Sequence, residues 1–162
     1  MLGYSGVAIA LAVSGVVFTA AGGALVTQLG PWYYGLKKPS WQPPDWLFGP
    51  AWTVIFLLMG AAFVLSYEQL PTLGERARLF GLFAINAGLN TLWSLLFFGL
   101  RRPDLALIEI VPFFGSIVLL VITVAPLDRR AAWFFVPYLC WVLFATLLNI
   151  AIVRRNAPFG NR

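Results

Sequence analysis

The sequence predicts an all-α integral membrane protein, built as a bundle of five transmembrane helices. Of its 162 residues, 60% are hydrophobic and only 10% are charged, which is far from the composition of a soluble domain. Apolar stretches long enough to cross the hydrocarbon core of a bilayer recur along the whole chain. We therefore expect a single membrane domain over residues 1–162, with no separate soluble domain.

The first predicted span covers residues 6–29, where glycine, alanine and serine recur at helical spacing and would allow close helix packing. A cleaved signal peptide is the alternative, because Ala20-Ala21-Gly22 resembles a processing site. The apolar run is longer than the core of a typical signal peptide, and no basic residue precedes it. A membrane span is the favoured interpretation.

A connection rich in tryptophan and proline, residues 30–49, follows the first span and carries Trp32, Trp41 and Trp46. Proline fixes φ and removes a backbone donor, so closely spaced prolines predict a stiff folded loop rather than one helix. The loop lies between two apolar spans and so belongs at the membrane surface. An aromatic belt at headgroup level is one interpretation. Because a belt does not require these prolines, a rigid aromatic lid over a binding site is favoured.

The four remaining spans are predicted over residues 50–67, 78–98, 104–124 and 132–153, and polar turns separate them. Pro50 suits the first turn of the second span. Lysine and arginine gather in small groups at the ends of the spans, although the net charge is +5. This placement is typical of topology signals and of contacts with membrane lipids, so no nucleic-acid partner is expected.

Two of the spans each carry a face of amides and aromatic rings at helical spacing. On the third span the face consists of Asn86, Asn90, Trp93 and Phe97. On the fifth it consists of Tyr138, Trp141, Ala145 and Asn149. Both spans end on the side of the lid, where Trp52 lies near the start of the second span, so these side chains should converge beneath the lid. An amide facing lipid is costly, which places the asparagines inward.

Such a convergence predicts a site for a flat, largely apolar ligand. The alternative is that the asparagines only hydrogen-bond one helix to another. The sequence contains no histidine and one cysteine, which excludes an intrachain disulfide and a Cys/His metal cluster, so no metal site is expected. Ser40 and Ser94 have no base beside them, and no nucleophile, base and acid set is recognisable.

Two further features of the spans point beyond simple packing. Glu109 is an acidic residue well inside a span, and an intramembrane carboxylate is a functional candidate by default, although it could also be neutral or reach the interface. Small residues three and four positions apart on the third span predict a helix–helix interface, which we expect between two subunits of a homodimer. These residues are Ala77, Gly81, Ala84 and Gly88.

Three motifs together resemble the TspO/translocator protein family, also called tryptophan-rich sensory protein or peripheral-type benzodiazepine receptor. The first is W-Y-x-x-L-x-K-P-S-W-x-P-P-x-W-x-x-G-P-x-W, from Trp32 to Trp52. The second is N-x-x-x-N-x-x-W from Asn86, followed by F-F-G. The third is P-Y-x-x-W-x-x-F-A-x-x-L-N from Pro137. The resemblance covers nearly the whole chain, and the first motif is highly specific.

The resemblance implies five transmembrane helices, a frequent homodimer, and a pocket under the first loop for porphyrins, sterols and synthetic benzodiazepine-site ligands. By motif position, the pocket residues of the family fall on Trp52, Asn86, Asn90, Trp93, Trp141, Phe144 and Ala145, with Pro137 and Tyr138 nearby. The loop tryptophan tied to porphyrin handling corresponds to Trp32, and we expect Trp41 and Trp46 to contact the ligand as well. Animal members carry tyrosine after L-N, where this chain has Ile150, so cholesterol recognition through that motif is doubtful.

Three classes of function follow. The favoured one is a receptor or translocator that requires no cofactor, binds a porphyrin or haem-type tetrapyrrole and other lipophilic ligands such as sterols, and acts in tetrapyrrole transport, sensing or regulation. The second is a light- and oxygen-dependent breakdown of porphyrin that uses loop tryptophans, with Trp32 as the candidate catalytic residue. The third is a membrane scaffold whose pocket holds lipid. We expect a bacterial membrane, and both the inner and the outer membrane stay open.

Overall fold

The computed structural model describes residues 4–159, a bundle of five long apolar helices joined by one long connection and three shorter ones. The long helices are α1 (Gly6–Val26), α3 (Phe48–Tyr67), α4 (Leu73–Ser94), α5 (Pro103–Val124) and α7 (Val136–Asn156), and two short helices, α2 (Pro31–Tyr34) and α6 (Arg129–Trp133), lie between them. Each of the five, with its flanking turns, is long and apolar enough to cross a membrane. The fold class predicted from the sequence is confirmed.

Helix α4 begins at Leu73 rather than at residue 78, because a capping box forms at its first turn. The Glu75 N–H donates to the Thr72 hydroxyl at 3.2 Å, and the Glu75 carboxylate accepts from the Thr72 N–H at 3.2 Å. These bonds satisfy two backbone donors that a helix end otherwise leaves free. The helix can therefore start directly after the turn at Pro71, and the polar connection is shorter than expected.

The start of α1 and the ends of α3 and α5 agree with the predicted bounds, whereas several other helix ends differ from them. Helix α1 ends at Val26, and a 3₁₀ turn, Asp45–Leu47, leads directly into α3. Helix α4 runs into a π-helical turn, Leu95–Gly99. The last span is broken into α6 and α7, and Pro137 occupies the first turn of α7, where the missing N–H of proline costs nothing.

Helix α1 is the most exposed of the long helices, and two glycines allow it to pack closely against α3 and α4. A Cβ on Gly60 of α3 would lie 3.1 Å from Val16, and one on Gly22 would lie 3.2 Å from Thr91 of α4. At both points the absence of a side chain permits close approach of two helices. On either side of the contact between Gly22 and Thr91, the structure has a cavity along α1.

The connection between α1 and α3 folds across one end of the bundle, and we call residues 27–47 the lid. The lid is fastened to the end of α7, where Asn156 bonds to the backbone of Lys37 and Arg155 donates to the Lys38 carbonyl at 3.3 Å. The aromatic rings of Trp32 and Tyr33 pack on Phe97 and Phe98 near the end of α4. The lid therefore closes the end of the bundle at which α3 begins and α4 and α7 end.

Candidate functional site

A cavity of about 430 Å³ lies directly under the lid and is bounded by α1, α3, α4 and α7; we call it the lid cavity. Its wall on α1 consists of small residues, among them Ala20, Gly23 and Ala24. The opposite walls are largely aromatic. An apolar cavity with a few polar groups is the usual form of a small-molecule site.

Two pairs of stacked rings form flat surfaces in the lid cavity. The rings of Trp93 and Phe97 stack at 5.1 Å with an angle of 24° between their planes. Those of Trp52 and Phe56 stack at 5.3 Å and 27°. Trp141 meets Trp52 edge-on at 6.4 Å and joins the wall of α7 to that of α3. Such flat aromatic surfaces suit a ligand with a planar ring system.

Three polar side chains form the roof of the lid cavity. The Tyr33 hydroxyl donates to Asp45 Oδ1 at 2.8 Å, and Gln42 Nε2 lies 3.2 Å from both the Tyr33 hydroxyl and Asp45 Oδ1. Burial, together with the neighbouring Asp45 carboxylate, raises the pKa of Tyr33 well above its ordinary value. Tyr33 therefore stays a protonated donor at physiological pH, and the three side chains fix the shape of the lid.

A lysine packs on the same tyrosine. Lys38 Nζ lies 3.5 Å from the centroid of the Tyr33 ring, which is a cation–π contact. Burial lowers the pKa of Lys38, and the negative charge of Asp45 acts in the opposite direction. The lid thus holds one cation and one anion within the same small cluster.

Several polar atoms in the wall of the lid cavity have no hydrogen-bond partner among residues 4–159. They are Gln42 Oε1, Asn90 Nδ2, Trp93 Nε1 and both amide atoms of Asn149. The side chains of Asn90 and Asn149 are deeply buried, with 4% and 1% exposure. A buried polar atom without a partner costs about 1–3 kcal/mol. These atoms are available to pair with polar atoms of a bound molecule.

Seven of the residues predicted for the site come together in the lid cavity. They are Trp52, Asn90, Trp93, Phe97, Trp141, Ala145 and Asn149. The helical spacing on the third and fifth predicted spans was the signal for six of them, and Trp52 follows from the start of α3 beside the lid. Phe144 lies behind the wall, where its ring contacts Trp141 at 5.6 Å, and Pro137 is exposed at the start of α7.

Asn86 and Tyr138 lie deeper in the bundle and do not line the lid cavity. The Tyr138 hydroxyl donates to Asn86 Oδ1 at 3.1 Å, and Asn86 Nδ2 donates to Ser116 Oγ at 2.8 Å. Their polar groups are thereby satisfied within the protein. In this arrangement Asn86 bonds one helix to another, which is the alternative that the sequence left open.

The three lid tryptophans predicted for the site do not line the lid cavity. Trp32 meets Phe97 edge-on at 6.2 Å, and Trp41 meets Phe144 at 5.9 Å. Trp46 is 71% exposed. Trp32 and Trp41 therefore fasten the lid onto the walls from outside, and the surface that the lid turns toward the cavity includes Tyr33, Gln42 and Asp45.

Sequence reasoning missed this roof and the wall on α1. The roof residues lie in the loop, where no periodic pattern shows which side chains turn inward. The small residues of α1 were visible as a stripe but were assigned to helix packing.

Glu109, the intramembrane carboxylate, is buried on α5, and neither of its oxygens has a hydrogen-bond partner among the described residues. It lines neither of the two cavities.

The sequence is similar to known proteins along most of its length. Residues 7–155 match the TspO/MBR family. The chain is 41% identical over 140 residues to the tryptophan-rich protein TspO of Chlorobaculum tepidum, which covers 84% of this chain and 87% of that protein. It is 38% identical over 149 residues to the tryptophan-rich protein TspO of Archaeoglobus fulgidus, with 92% of each chain covered. It is 35% identical over 126 residues to the translocator protein of Homo sapiens, which covers 77% of this chain and 75% of that protein.

Proposed function

The chain belongs to the TspO/MBR family and is a multi-pass integral membrane protein, and from this premise we propose that it is a receptor for porphyrins and other flat lipophilic molecules, which bind in the lid cavity. The role of such binding is tetrapyrrole transport, sensing or regulation. Relatives named translocator protein and tryptophan-rich sensory protein support a role of this kind.

The observation that carries the proposal is the set of unpartnered polar atoms between stacked aromatic walls. A hydrocarbon would leave the amides of Asn90 and Asn149 unpaired, and a strongly polar molecule would be poorly matched to Trp52, Trp93 and Trp141. A porphyrin combines a planar apolar ring with polar nitrogens and carboxylates. A sterol offers a flat apolar body and one hydroxyl, and so fits the same description less completely.

The lid can contribute to binding through its cations. Lys38 lies over Tyr33 in the roof, and Lys37 is exposed beside it. A porphyrin seated between the aromatic walls with its carboxylates toward the lid would bring these carboxylates near two ammonium groups. The ion pairs would orient the ring and would weaken as the salt concentration rises.

We also propose that the protein forms a homodimer through α4. Gly81 and Gly88 have open space at the position of a Cβ, and Ala77 and Ala84 are exposed, so a single chain leaves this stripe uncovered. Close contact with a second α4 would cover it. Light scattering of Gly81→Leu beside Gly115→Leu, which places the same side chain on α5, tests the interface: only the first should lower the mass toward that of a monomer.

A matched pair of glycine variants tests binding in the lid cavity. Gly23 lines the cavity and Gly115 is exposed on α5, and both have open space at the position of a Cβ. Leucine at position 23 fills part of the cavity and should weaken binding of protoporphyrin IX by about ten-fold or more, because overpacking costs about 1–3 kcal/mol. Quenching of tryptophan fluorescence in detergent measures the affinity, and circular dichroism checks the fold. Equal affinity in the parent, Gly23→Leu and Gly115→Leu would refute binding at this site.

A further inference from the structure

A second cavity, of about 410 Å³, lies along the middle of α1, farther from the lid than the lid cavity. Its walls come from residues 11–19 of α1, 56–63 of α3 and 80–91 of α4, and Tyr138 of α7 also lines it. The contact between Gly22 and Thr91 lies between this cavity and the lid end of α1. Phe56 contributes to both cavities. We call this space the deep cavity.

The polar side chains of the deep cavity are almost all satisfied within the protein. The hydroxyls of Thr19 and Thr91 donate to carbonyls one turn earlier in their own helices, at 2.7 and 3.1 Å. Asn86 bonds to both Ser116 and Tyr138, as described above. Ser14 is the exception, and it is exposed at the rim. The deep cavity therefore offers a ligand no buried polar atom that needs a partner.

The rest of the lining is hydrocarbon, much of it aromatic. Phe56, Phe63 and Phe83 form its inner side, with Met59 beside them, and the small residue Gly15 forms part of the side toward α1. Met59 and Phe63 are only 8% and 2% exposed. Since these residues lie in the middle parts of their helices, the deep cavity lies at the depth of the lipid acyl chains.

We infer that the deep cavity is a second ligand site, and that its ligand is a hydrocarbon chain of a membrane lipid. The two cavities differ in the chemistry that they require. The lid cavity presents unpaired amides and an indole N–H, which select a ligand with polar atoms. The deep cavity presents closed hydrogen bonds and hydrocarbon, which select a chain without polar atoms. The inference rests on the deep cavity alone and stands or falls separately from porphyrin binding.

The test uses the full chain in liposomes of phosphatidylcholine that carries a photoreactive diazirine near the middle of one acyl chain. After illumination, mass spectrometry locates the labelled residues. A chain in the deep cavity labels the inward-facing side chains of Met59, Phe63 and Phe83, whereas lipid at the protein surface labels exposed residues such as Leu57 and Ile122. The surface labels serve as an internal standard in each sample.

Three glycine-to-leucine variants then assign the site. Gly15 lines the deep cavity, Gly23 lines the lid cavity and Gly115 lies outside both, and each has open space at the position of a Cβ. Gly15→Leu should lower the inward labelling about ten-fold, since the added side chain occupies the space of the acyl chain. Gly23→Leu and Gly115→Leu should leave it unchanged.

Each other outcome overturns the inference. Labels confined to exposed residues mean that no chain enters. An equal loss in Gly15→Leu and Gly23→Leu means that one ligand occupies both cavities. A fall in scattering mass with Gly15→Leu, without inward labelling in the parent, means that a second copy of the chain covers the deep cavity. If Gly15→Leu fails to fold, Ala87→Leu narrows the same cavity from α4, outside the proposed dimer stripe, and replaces it in the comparison.

Discussion

Asn156, the last residue of α7, forms two reciprocal hydrogen bonds with the backbone of Lys37 in the lid. Its Oδ1 accepts from the Lys37 N–H at 2.8 Å, and its Nδ2 donates to the Lys37 carbonyl at 3.1 Å. The two residues are 119 positions apart in the chain. Since α7 also carries Trp141 and Asn149, this contact ties the lid to one wall of the cavity that it covers.

Replacing Asn156 with alanine should therefore loosen the lid. A hydrogen bond contributes about 0.5–1.5 kcal/mol, and because both of these bonds are exposed we expect values near the lower end of that range. Losing both bonds should make protoporphyrin IX dissociate about ten-fold faster while the helices stay intact. Stopped-flow fluorescence measures the dissociation rate. Arg154→Ala, two residues earlier on the exposed end of α7, is the control. A rate unchanged in Asn156→Ala would show that the lid does not limit release.

Two buried asparagines, Asn149 in the wall of the lid cavity and Asn86 deeper in the bundle, give opposite predictions for stability. Asn149 has no partner among residues 4–159, whereas Asn86 bonds to Ser116 and Tyr138. Asn149→Leu should stabilise the ligand-free protein by about 1–3 kcal/mol, which raises its melting temperature, and should weaken the free energy of porphyrin binding by about the same amount. Asn86→Leu should lower the melting temperature, because it leaves the Tyr138 hydroxyl unpaired.

Thermal unfolding in detergent and fluorescence titration measure the two effects. A loss of stability in Asn149→Leu would mean that this amide has a partner within the folded protein and is not reserved for a ligand. Unchanged porphyrin affinity in the same variant would remove Asn149 from the binding site.

The sequence predicts the position of the site residues on the helices, but not that of the site residues in the lid. Asn90, Trp93, Asn149 and Trp141 could be placed together because a helix repeats every 3.6 residues, and because the order of the spans fixes which ends meet. The inward turn of Tyr33 could not be placed. Its direction depends on contacts with residues distant in the chain, such as Phe98 and Asp45, rather than on any local period.

Some helix boundaries could likewise be predicted from local sequence and others could not. Thr72 and Glu75 have the spacing of a capping box, which indicates that α4 starts at Leu73, but Pro71 and Gly74 suggested a longer turn. The π-helical turn Leu95–Gly99 has no such local signature. It ends where the chain turns back into α5 at Pro103, so tertiary packing rather than propensity sets it.

At the other end of the bundle, Glu68 controls the start of α1. Its carboxylate accepts from the N–H and the hydroxyl of Ser5, at 2.9 and 2.6 Å, and the Ser5 hydroxyl in turn accepts from the Ala8 N–H. These bonds from Ser5 hold the pKa of Glu68 below its ordinary value. The stabilisation is thus fully present above the ordinary carboxyl pKa and is lost as the pH falls through the lowered pKa of the folded protein.

We expect the hydrogen-exchange protection of Ala8, corrected for intrinsic exchange, to fall as the pH is lowered through that range. Glu68→Ala should show the low protection already at neutral pH, and Gln69→Ala, at the neighbouring exposed residue, should behave as the parent does. Exchange measured by mass spectrometry on the N-terminal peptide checks this. Protection that is independent of pH in the parent would show that Ser5 caps α1 without help from Glu68.

The last prediction separates the tryptophans that touch the ligand from those that only hold the lid. Trp52 lines the lid cavity, whereas Trp32 does not line it and packs edge-on against Phe97, which does. Trp52→Phe should weaken porphyrin binding by about 0.5–1.5 kcal/mol, the contribution of one aromatic contact, and Trp32→Phe should change it little. Fluorescence titration and illumination of the porphyrin complexes in air then give two independent results.

If light-driven breakdown used the Trp32 indole, Trp32→Phe would bind porphyrin normally but lose its pigment more slowly than the parent, because phenylalanine is much harder to oxidise. Equal rates of pigment loss in the parent, in Trp32→Phe and in protein-free detergent would leave a binding protein without this activity. A large loss of affinity in Trp32→Phe alone would instead move the ligand out of the cavity and against the lid.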